Sequence, residues 1–308
     1  MRNGILSDRT SSLERRTESQ RIWRAFKRNR LALVGLVIVT LVVLTVVFAD
    51  DWFIAIFQER DPQPLLAPYD PAKHNMKDRL ASPSRAHPMG ADEYGRDILS
   101  RVIYGGRVSL VVGVCSIIAG CVVGTLLGLV AAYAAGRTET VIMRGVDALR
   151  SFPNLILALL LLTVFGAGPS KIIVAIAVGF TAQFARLAHS ATLAVKQCEY
   201  ILSARALGAS PFRIVFRHIL PNIAGEVVVI STLWTASAIR YEASLSFLGL
   251  GVSPPTAAWG TMIYMGKTYL RDAPWLSVYP GLAILVTILG FNMLGDGFRD
   301  VLDPRLQE

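Results

Sequence analysis

Six stretches of the chain are long, apolar and almost free of charge, and this pattern constrains the fold more than any other feature. They are residues 31–49, 108–136, 151–170, 172–194, 227–239 and 273–295. A run of about 20 apolar residues is long enough to cross a bilayer as a helix. The composition agrees, because 53% of residues are hydrophobic and only 17% are charged, against about 25% charged in soluble domains. The sequence therefore predicts an all-α integral membrane protein with six transmembrane helices in a lipid bilayer.

Two of the predicted spans contain or border charges. Arg186 interrupts the fourth, and we expect its guanidinium to extend toward the lipid head groups. The fifth is the shortest, since Glu226 and Arg240 flank its charge-free part. The chain then divides into a basic amino-terminal segment (1–30), a first helix (31–49), an external loop (50–107) with an amphipathic segment, a five-helix core (108–295) and a tail (296–308).

Basic residues are distributed unevenly along the chain, and this predicts its orientation. Nine of the 31 lysines and arginines lie in residues 1–30, directly before the first span. Loops on the cytoplasmic side of a membrane carry an excess of Lys and Arg. The sequence therefore predicts that both termini are cytoplasmic. The net charge of +9 is not arranged as a basic face with interleaved aromatic residues, so we expect no nucleic-acid partner.

Residues 196–221, which we call the bent segment, predict a helix, a tight turn and a second helix on the cytoplasmic side. Gly208 is typical of a left-handed helix cap. Ser210 followed by Pro211 is a helix start signal, and we expect Pro221 to end the second helix. Two interpretations remain open, a plain connector between spans or a docking element for a cytoplasmic subunit.

The bent segment resembles the coupling loop of permease subunits of ATP-binding-cassette importers. The family pattern is Glu-Ala-Ala, a Gly four residues later, and then Ile/Leu-Leu-Pro. The matching residues are Ala204, Gly208, Ile219, Leu220 and Pro221. Leu202 and Ser203 stand where the family has Glu and the first Ala. Either the missing carboxylate weakens one polar contact to the ATPase, or Glu199, one turn earlier, replaces it. The resemblance implies that the ATPase is contacted by Glu199, Leu202, Ser203, Ala204, Arg205, Gly208, Ala209, Ile219 and Pro221.

Further segments are similar to the oligopeptide, dipeptide and nickel branch of that family. They are residues 87–101, residues 242–260 with the string Glu-Ala-Ser-Leu-Ser-Phe-Leu-Gly-Leu-Gly, and residues 295–304. The resemblance covers most of residues 20–305. It implies a type I importer permease in the bacterial inner membrane that translocates peptides by alternating access. The implied partners are a second homologous permease, two ATPase subunits that use the ATP, and an extracytoplasmic solute-binding protein; the chain itself would bind no cofactor.

Besides a membrane scaffold with no pathway, two alternatives to peptide import stay open. Relatives with similar motifs carry nickel, so the cargo could be a metal ion. An ion-gradient-driven secondary carrier is the other alternative, although it should show intramembrane carboxylates and inverted repeats. The histidines lack the spacing of metal ligands, and no grouping of side chains indicates catalysis, so we expect neither a metal site nor an enzyme; they are His74, His87, His189 and His218.

Three further groups of residues are candidates for packing or for the pathway. Gly120, Gly124 and Gly128 form a small-residue ridge, which permits close helix approach within the chain or to a second permease. Arg240 and Glu242 either anchor the fifth span at its border or face the pathway, with Glu242 the better candidate. Charges at helical spacing predict an amphipathic helix over 91–104 at the external membrane surface; they are Asp92, Arg96, Asp97 and Arg101.

Overall fold

The computed structural model describes residues 26–27, 29–51 and 63–302. Most of the basic amino-terminal segment and the end of the tail lie outside these ranges. Nine helices are named here: α1 (Arg30–Val47), α2 (Ile98–Ala134), α3 (Gly136–Arg150), α4 (Asn154–Phe165), α5 (Pro169–Lys196), α6 (Glu199–Ala206), α7 (Pro211–Leu250), α8 (Trp259–Gly266) and α9 (Trp275–Leu302).

Within the described residues, five helices are long and apolar enough to cross a membrane, namely α1, α2, α5, α7 and α9. Helices α3 and α4 meet at 90° and together can form a sixth span. The all-helical membrane fold is therefore confirmed. The prediction of one continuous third span over 151–170 was wrong, because Pro153 starts α4, and Gly166 and Gly168, both with positive φ, follow its end.

The core of the bundle is the contact between α2 and α5, and the glycine ridge of α2 lies in it. A Cβ atom added to Gly120 would lie 3.0 Å from the backbone oxygen of Ala177 on α5. Cβ atoms on Gly124 and Gly128 would overlap backbone oxygens of α5. The absence of side chains at these three positions lets the two helix backbones approach each other closely, so the ridge faces α5 of the same chain.

The first and last spans pack against each other. Gly35 of α1 lies against the backbone of Leu294 in α9, and Gly297 of α9 lies against Ala32. Asn29 caps α1, accepting a hydrogen bond from the backbone N–H of Ala32 at 3.1 Å.

Residues 63–97, which we call the long loop, form an ordered structure over one end of the bundle. The predicted helix over 91–104 was wrong in its first half, because α2 begins at Ile98. Asp97 is the N-cap and accepts hydrogen bonds from the N–H and hydroxyl of Ser100, both at 2.8 Å. The side chain of Asp97 is occupied as a cap, so the chain before it turns instead of continuing the helix.

Three charged side chains at the end of the long loop and the start of α2 are buried, although the sequence pattern favoured an amphipathic face. Arg96 Nε lies 2.7 Å from Asp92 Oδ2, and Arg101 Nε lies 3.5 Å from the same oxygen. All three residues are at most 4% exposed. Arg101 also donates to the backbone oxygen of Pro71 at 3.0 Å. Asp92 thus pairs with both arginines and joins the long loop to the start of α2.

Candidate coupling surface and membrane pathway

The first helix of the bent segment, α6, ends in a Schellman motif. Gly208 has φ +80, its N–H donates to the backbone oxygen of Arg205 at 3.0 Å, and the N–H of Ala209 donates to that of Ala204 at 3.1 Å. Gly tolerates this left-handed conformation because it has no Cβ atom. The predicted left-handed cap is confirmed.

The second helix starts where the sequence predicts but does not end at Pro221. The hydroxyl of Ser210 accepts from the N–H of Arg213 at 3.4 Å, and Pro211 occupies the first turn. Six residues of π-helix follow, and the helix then continues through Pro221 into the fifth span. A π turn widens the helix, and the side chain of Asn222 donates to the oxygen of His218 at 2.6 Å. The helix thereby accommodates the proline, and the prediction of a stop was wrong.

The bent segment has one buried side and one exposed apolar tip. Ile201, Ile214 and Ile219 are fully buried in the main core of the bundle. At the turn, Leu207 is 88% exposed and Phe212 is 72% exposed. The turn from Leu207 to Phe212 carries no charged residue, and two large apolar side chains exposed at its tip give it the character of an interaction surface.

The residues that the resemblance assigns to ATPase contact fall into two groups. Exposed members are Glu199, Leu202, Ser203, Arg205, Gly208 and Pro221, and Ala204 and Ala209 are partly exposed. Ile219 is buried, so it anchors the segment and does not lie on its surface. The residues assigned by the resemblance do not include Leu207 and Phe212, although their position beside the Gly208 turn could have indicated exposed apolar residues.

The bent segment is attached to α2 as well as to the spans that it connects. Lys196, at the end of α5, donates to the backbone oxygens of Ala132 and Tyr133 at 2.9 and 3.2 Å. The guanidinium of Arg205 lies 5.9 Å from the ring centre of Tyr133. A lysine at these carbonyls satisfies groups that a helix end leaves unpaired. These contacts join the bent segment to the ends of both α2 and α5.

The two candidate pathway residues lie in different environments. Arg240 is exposed, and its guanidinium lies 5.7 Å from the ring centre of Tyr241. Glu242 is fully buried, and its Oε1 accepts a hydrogen bond from Ser246 at 2.8 Å. The fold does not bring Arg240 and Glu242 together. Within the described residues, no group of three or more His, Cys, Asp or Glu side chains is placed to hold a metal ion.

Comparison with known proteins places this arrangement in a family. Residues 124–308 match the family described as binding-protein-dependent transport system inner membrane component. Residues 17–83 match the N-terminal TM domain of oligopeptide transport permease C.

Two curated relatives are similar over almost the whole chain. The glutathione transport system permease protein GsiD of Pectobacterium atrosepticum is 40% identical, with 95% of this chain and 93% of the relative covered. The dipeptide transport system permease protein DppC of Alkalihalophilus pseudofirmus is 37% identical, with 92% and 89% covered. A structure of the inward-facing MetNI methionine ABC transporter shares the fold, with a TM-score of 0.55 and 21% identity over 66% of this chain and 97% of that one.

Family, fold and site geometry agree with one another. The chain belongs to the family of binding-protein-dependent transport system inner membrane components, and it is a multi-pass permease subunit of an ABC importer whose ATP is hydrolysed by partner ATPases.

Proposed function

We propose that this chain imports small peptides, either di- and oligopeptides or glutathione, across the bacterial inner membrane. The relatives described above are named for glutathione and dipeptide transport, which supports this cargo class over nickel. A second homologous permease, two ATPase subunits and an extracytoplasmic solute-binding protein complete the assembly, with both termini of this chain in the cytoplasm.

One observation carries the proposal, namely the division of the bent segment into an anchored side and an exposed apolar tip. Ile201, Ile214 and Ile219 fix the segment in the bundle, while Leu207 and Phe212 project from it. Exposed apolar side chains at the centre of a contact commonly supply most of its binding energy. The tip fits a groove on an ATPase subunit.

Alternating access follows from this attachment. ATP-driven closure of the ATPase pair moves the tip, and the buried isoleucines pass that movement to the core helices. The contacts of Lys196 with the end of α2 pass the same movement to α2. The spans then tilt as packed units, because a well-packed core shifts between discrete arrangements instead of deforming continuously.

Replacing Gly208 tests the coupling step. Leu at this position has open space around its Cβ atom but must adopt φ +80, which costs about 1–2 kcal/mol for a residue other than Gly. We expect Gly208→Leu to distort the turn and to lower ATP-dependent uptake roughly tenfold, while ATP hydrolysis by the assembled complex continues.

Gly225→Leu is the matched control, since Gly225 also has open space and keeps ordinary helical φ. Unchanged uptake in Gly208→Leu, with normal expression, would contradict coupling through this turn.

ATP-driven uptake into proteoliposomes without an ion gradient separates the importer from a secondary carrier, which would transport nothing under those conditions.

The cargo is tested in cells that lack this chain. Isotope uptake of a dipeptide, an oligopeptide, glutathione and nickel should fall for at least one peptide class and stay unchanged for nickel. Loss of nickel uptake alone would contradict the proposed cargo.

A further inference from the structure

The third span is broken at a depth well inside the bundle. Helix α3 ends at Arg150, and α4 starts at Asn154 after a bend of 90°. A Cβ atom added to Gly179 of α5 would lie 3.2 Å from the side-chain oxygen of Asn154. At about 1.5 Å per residue, Gly179 lies about 15 Å from the start of α5 and about 25 Å from its end. Broken helices at membrane depth are tolerated where they are buried in protein or line a cavity.

A cleft of about 490 Å³ opens beside this break. Its size is within the usual range of small-molecule sites. The lining residues come from the α3–α4 break, α5 and α7, and they are Arg150, Asn154, Gln183, Arg186, Leu187 and Trp234. Charged and amide side chains are costly against lipid and usually face a pathway or a partner. The polar lining therefore marks this face of the bundle as one that is not covered by lipid.

Arg186 has a partner on a neighbouring helix; its predicted extension toward the lipid head groups stays a prediction. Its guanidinium pairs with Asp147 on α3, because α3 packs along α5 and places a carboxylate beside it. The Nε atom of Arg186 is buried and has no hydrogen-bond partner within the described residues. With Arg150 on the same cleft, the two arginines outweigh the single carboxylate, and the cleft carries a net positive charge.

The remaining lining residues suit a peptide. Asn154 and Gln183 offer both donors and acceptors, which match the amide groups of a peptide backbone. Trp234 forms an apolar wall and is held by Phe184, whose ring centre lies 4.6 Å away. An arginine binds a carboxylate by charge-assisted hydrogen bonds, which are stronger than neutral ones.

We propose that this cleft is a solute subsite of the translocation pathway and that Arg150 and Arg186 bind the carboxylate of the transported peptide. The inference rests on the proposed peptide import, since every dipeptide and glutathione carries a free carboxylate. It places the solute contact at the break of the third span, apart from Arg240 and Glu242.

The test compares uptake of a dipeptide and of the same dipeptide with an amidated carboxyl group. The complete transporter is reconstituted in proteoliposomes with its binding protein, and kcat/KM is measured for both. We expect Arg150→Gln and Arg186→Gln to reduce the preference for the free acid by about 10- to 100-fold, as loss of a hydrogen bond to a charged group implies. The binding protein is the same in every arm, so its own preference cancels in the comparison between variants.

Three further variants serve as controls. Arg144→Gln removes an arginine from a different face of α3 and should leave the preference within about twofold. Arg186→Lys keeps the charge and should retain part of the preference. Asp147→Asn combined with Arg186→Gln leaves no unpaired carboxylate, so it should lower the preference even if Arg186→Gln alone assembles poorly.

The outcomes are distinguishable. An unchanged acid preference in both arginine variants would overturn the subsite. If the acid preference is unchanged and both variants also lose a tightly bound anionic phospholipid, seen by native mass spectrometry, the cleft binds lipid instead of the peptide. If the unmodified complex with ATP transports no dipeptide at all, the proposed function fails, whatever the variants show.

Discussion

The long loop and the bent segment are both polar connections at an end of the bundle, yet they differ in which side chains they bury and which they expose. At the end of the long loop, the buried carboxylate of Asp92 pairs with Arg96 of the loop and with Arg101 of α2. The bent segment turns isoleucines inward and leaves Leu207 and Phe212 uncovered. Paired charges stabilise a connection internally, whereas an uncovered apolar tip has the character of an interaction surface. The proposed docking role belongs to the segment with the uncovered tip.

The largest effect is expected from breaking the charge cluster of the long loop. Asp92→Ala leaves the guanidinium groups of Arg96 and Arg101 buried without their carboxylate, which should cost about 3–5 kcal/mol. Thermal unfolding of the purified complex measures the loss. Lys73→Ala, an exposed change in the same loop, should stay within about 0.5 kcal/mol. Equal melting temperatures for the two variants would contradict a stabilising role for the cluster.

Removing an anchor of the bent segment should have the next largest effect. Ile214→Ala deletes a fully buried side chain and should destabilise the chain by about 2–5 kcal/mol. The same unfolding experiment measures it, with Val215→Ala, which is only partly buried, as the control. A loss of stability in Ile214→Ala that is smaller than the loss in Val215→Ala would mean that the bent segment is not anchored in the core.

The exposed tip should affect assembly without affecting folding. Leu207→Asp introduces a charge at a side chain that is 88% exposed, so the melting temperature of the isolated chain should not change. Loss of a central apolar contact costs about 2 kcal/mol, which weakens ATPase binding by roughly 30-fold. Co-purification of the ATPase measures this. Leu65→Asp, at an exposed apolar residue of the long loop, should leave co-purification intact; an equal loss in both variants would refute a specific tip contact.

The smallest effect is a pH dependence of the long loop. Burial lowers the pKa of His87, but hydrogen bonds and charge from Asp97 and Asp78 outweigh it, and the pKa is raised above its usual 6.5. Protonated His87 therefore stabilises the fold fully below about pH 6.5, and this contribution is lost as pH rises through the raised pKa. The melting difference between the native chain and His87→Gln should shrink between about pH 5 and pH 8. A melting difference that stays constant over this pH range would contradict a stabilising role for protonated His87.

Local signals in the sequence were sufficient for five of the spans and for the turn of the bent segment. Uncharged runs located the membrane helices because a charge is costly in lipid. Gly208 marked the end of α6 because a left-handed residue strongly favours Gly. These features depend on neighbours along the chain, so a sequence pattern is enough to predict them.

Other features depended on what lies across the bundle. Arg186 pairs with Asp147 because α3 packs along α5, and nothing near Arg186 in sequence indicates that. Pro221 is accommodated because a π turn precedes it. The spacing of Asp92 and Arg96 fits a helix as well as it fits the buried turn that is observed.

The sequence by itself determined that this protein crosses a membrane with helices, where five of its spans lie, and that it resembles an importer permease. Tertiary structure decided where the third span breaks, which charges are buried, and which side of the bent segment remains open. Solvation by lipid acts on each segment separately and therefore leaves a local pattern. Ion pairs, clefts and exposed tips arise only when distant segments meet, since their energy comes from groups on different helices.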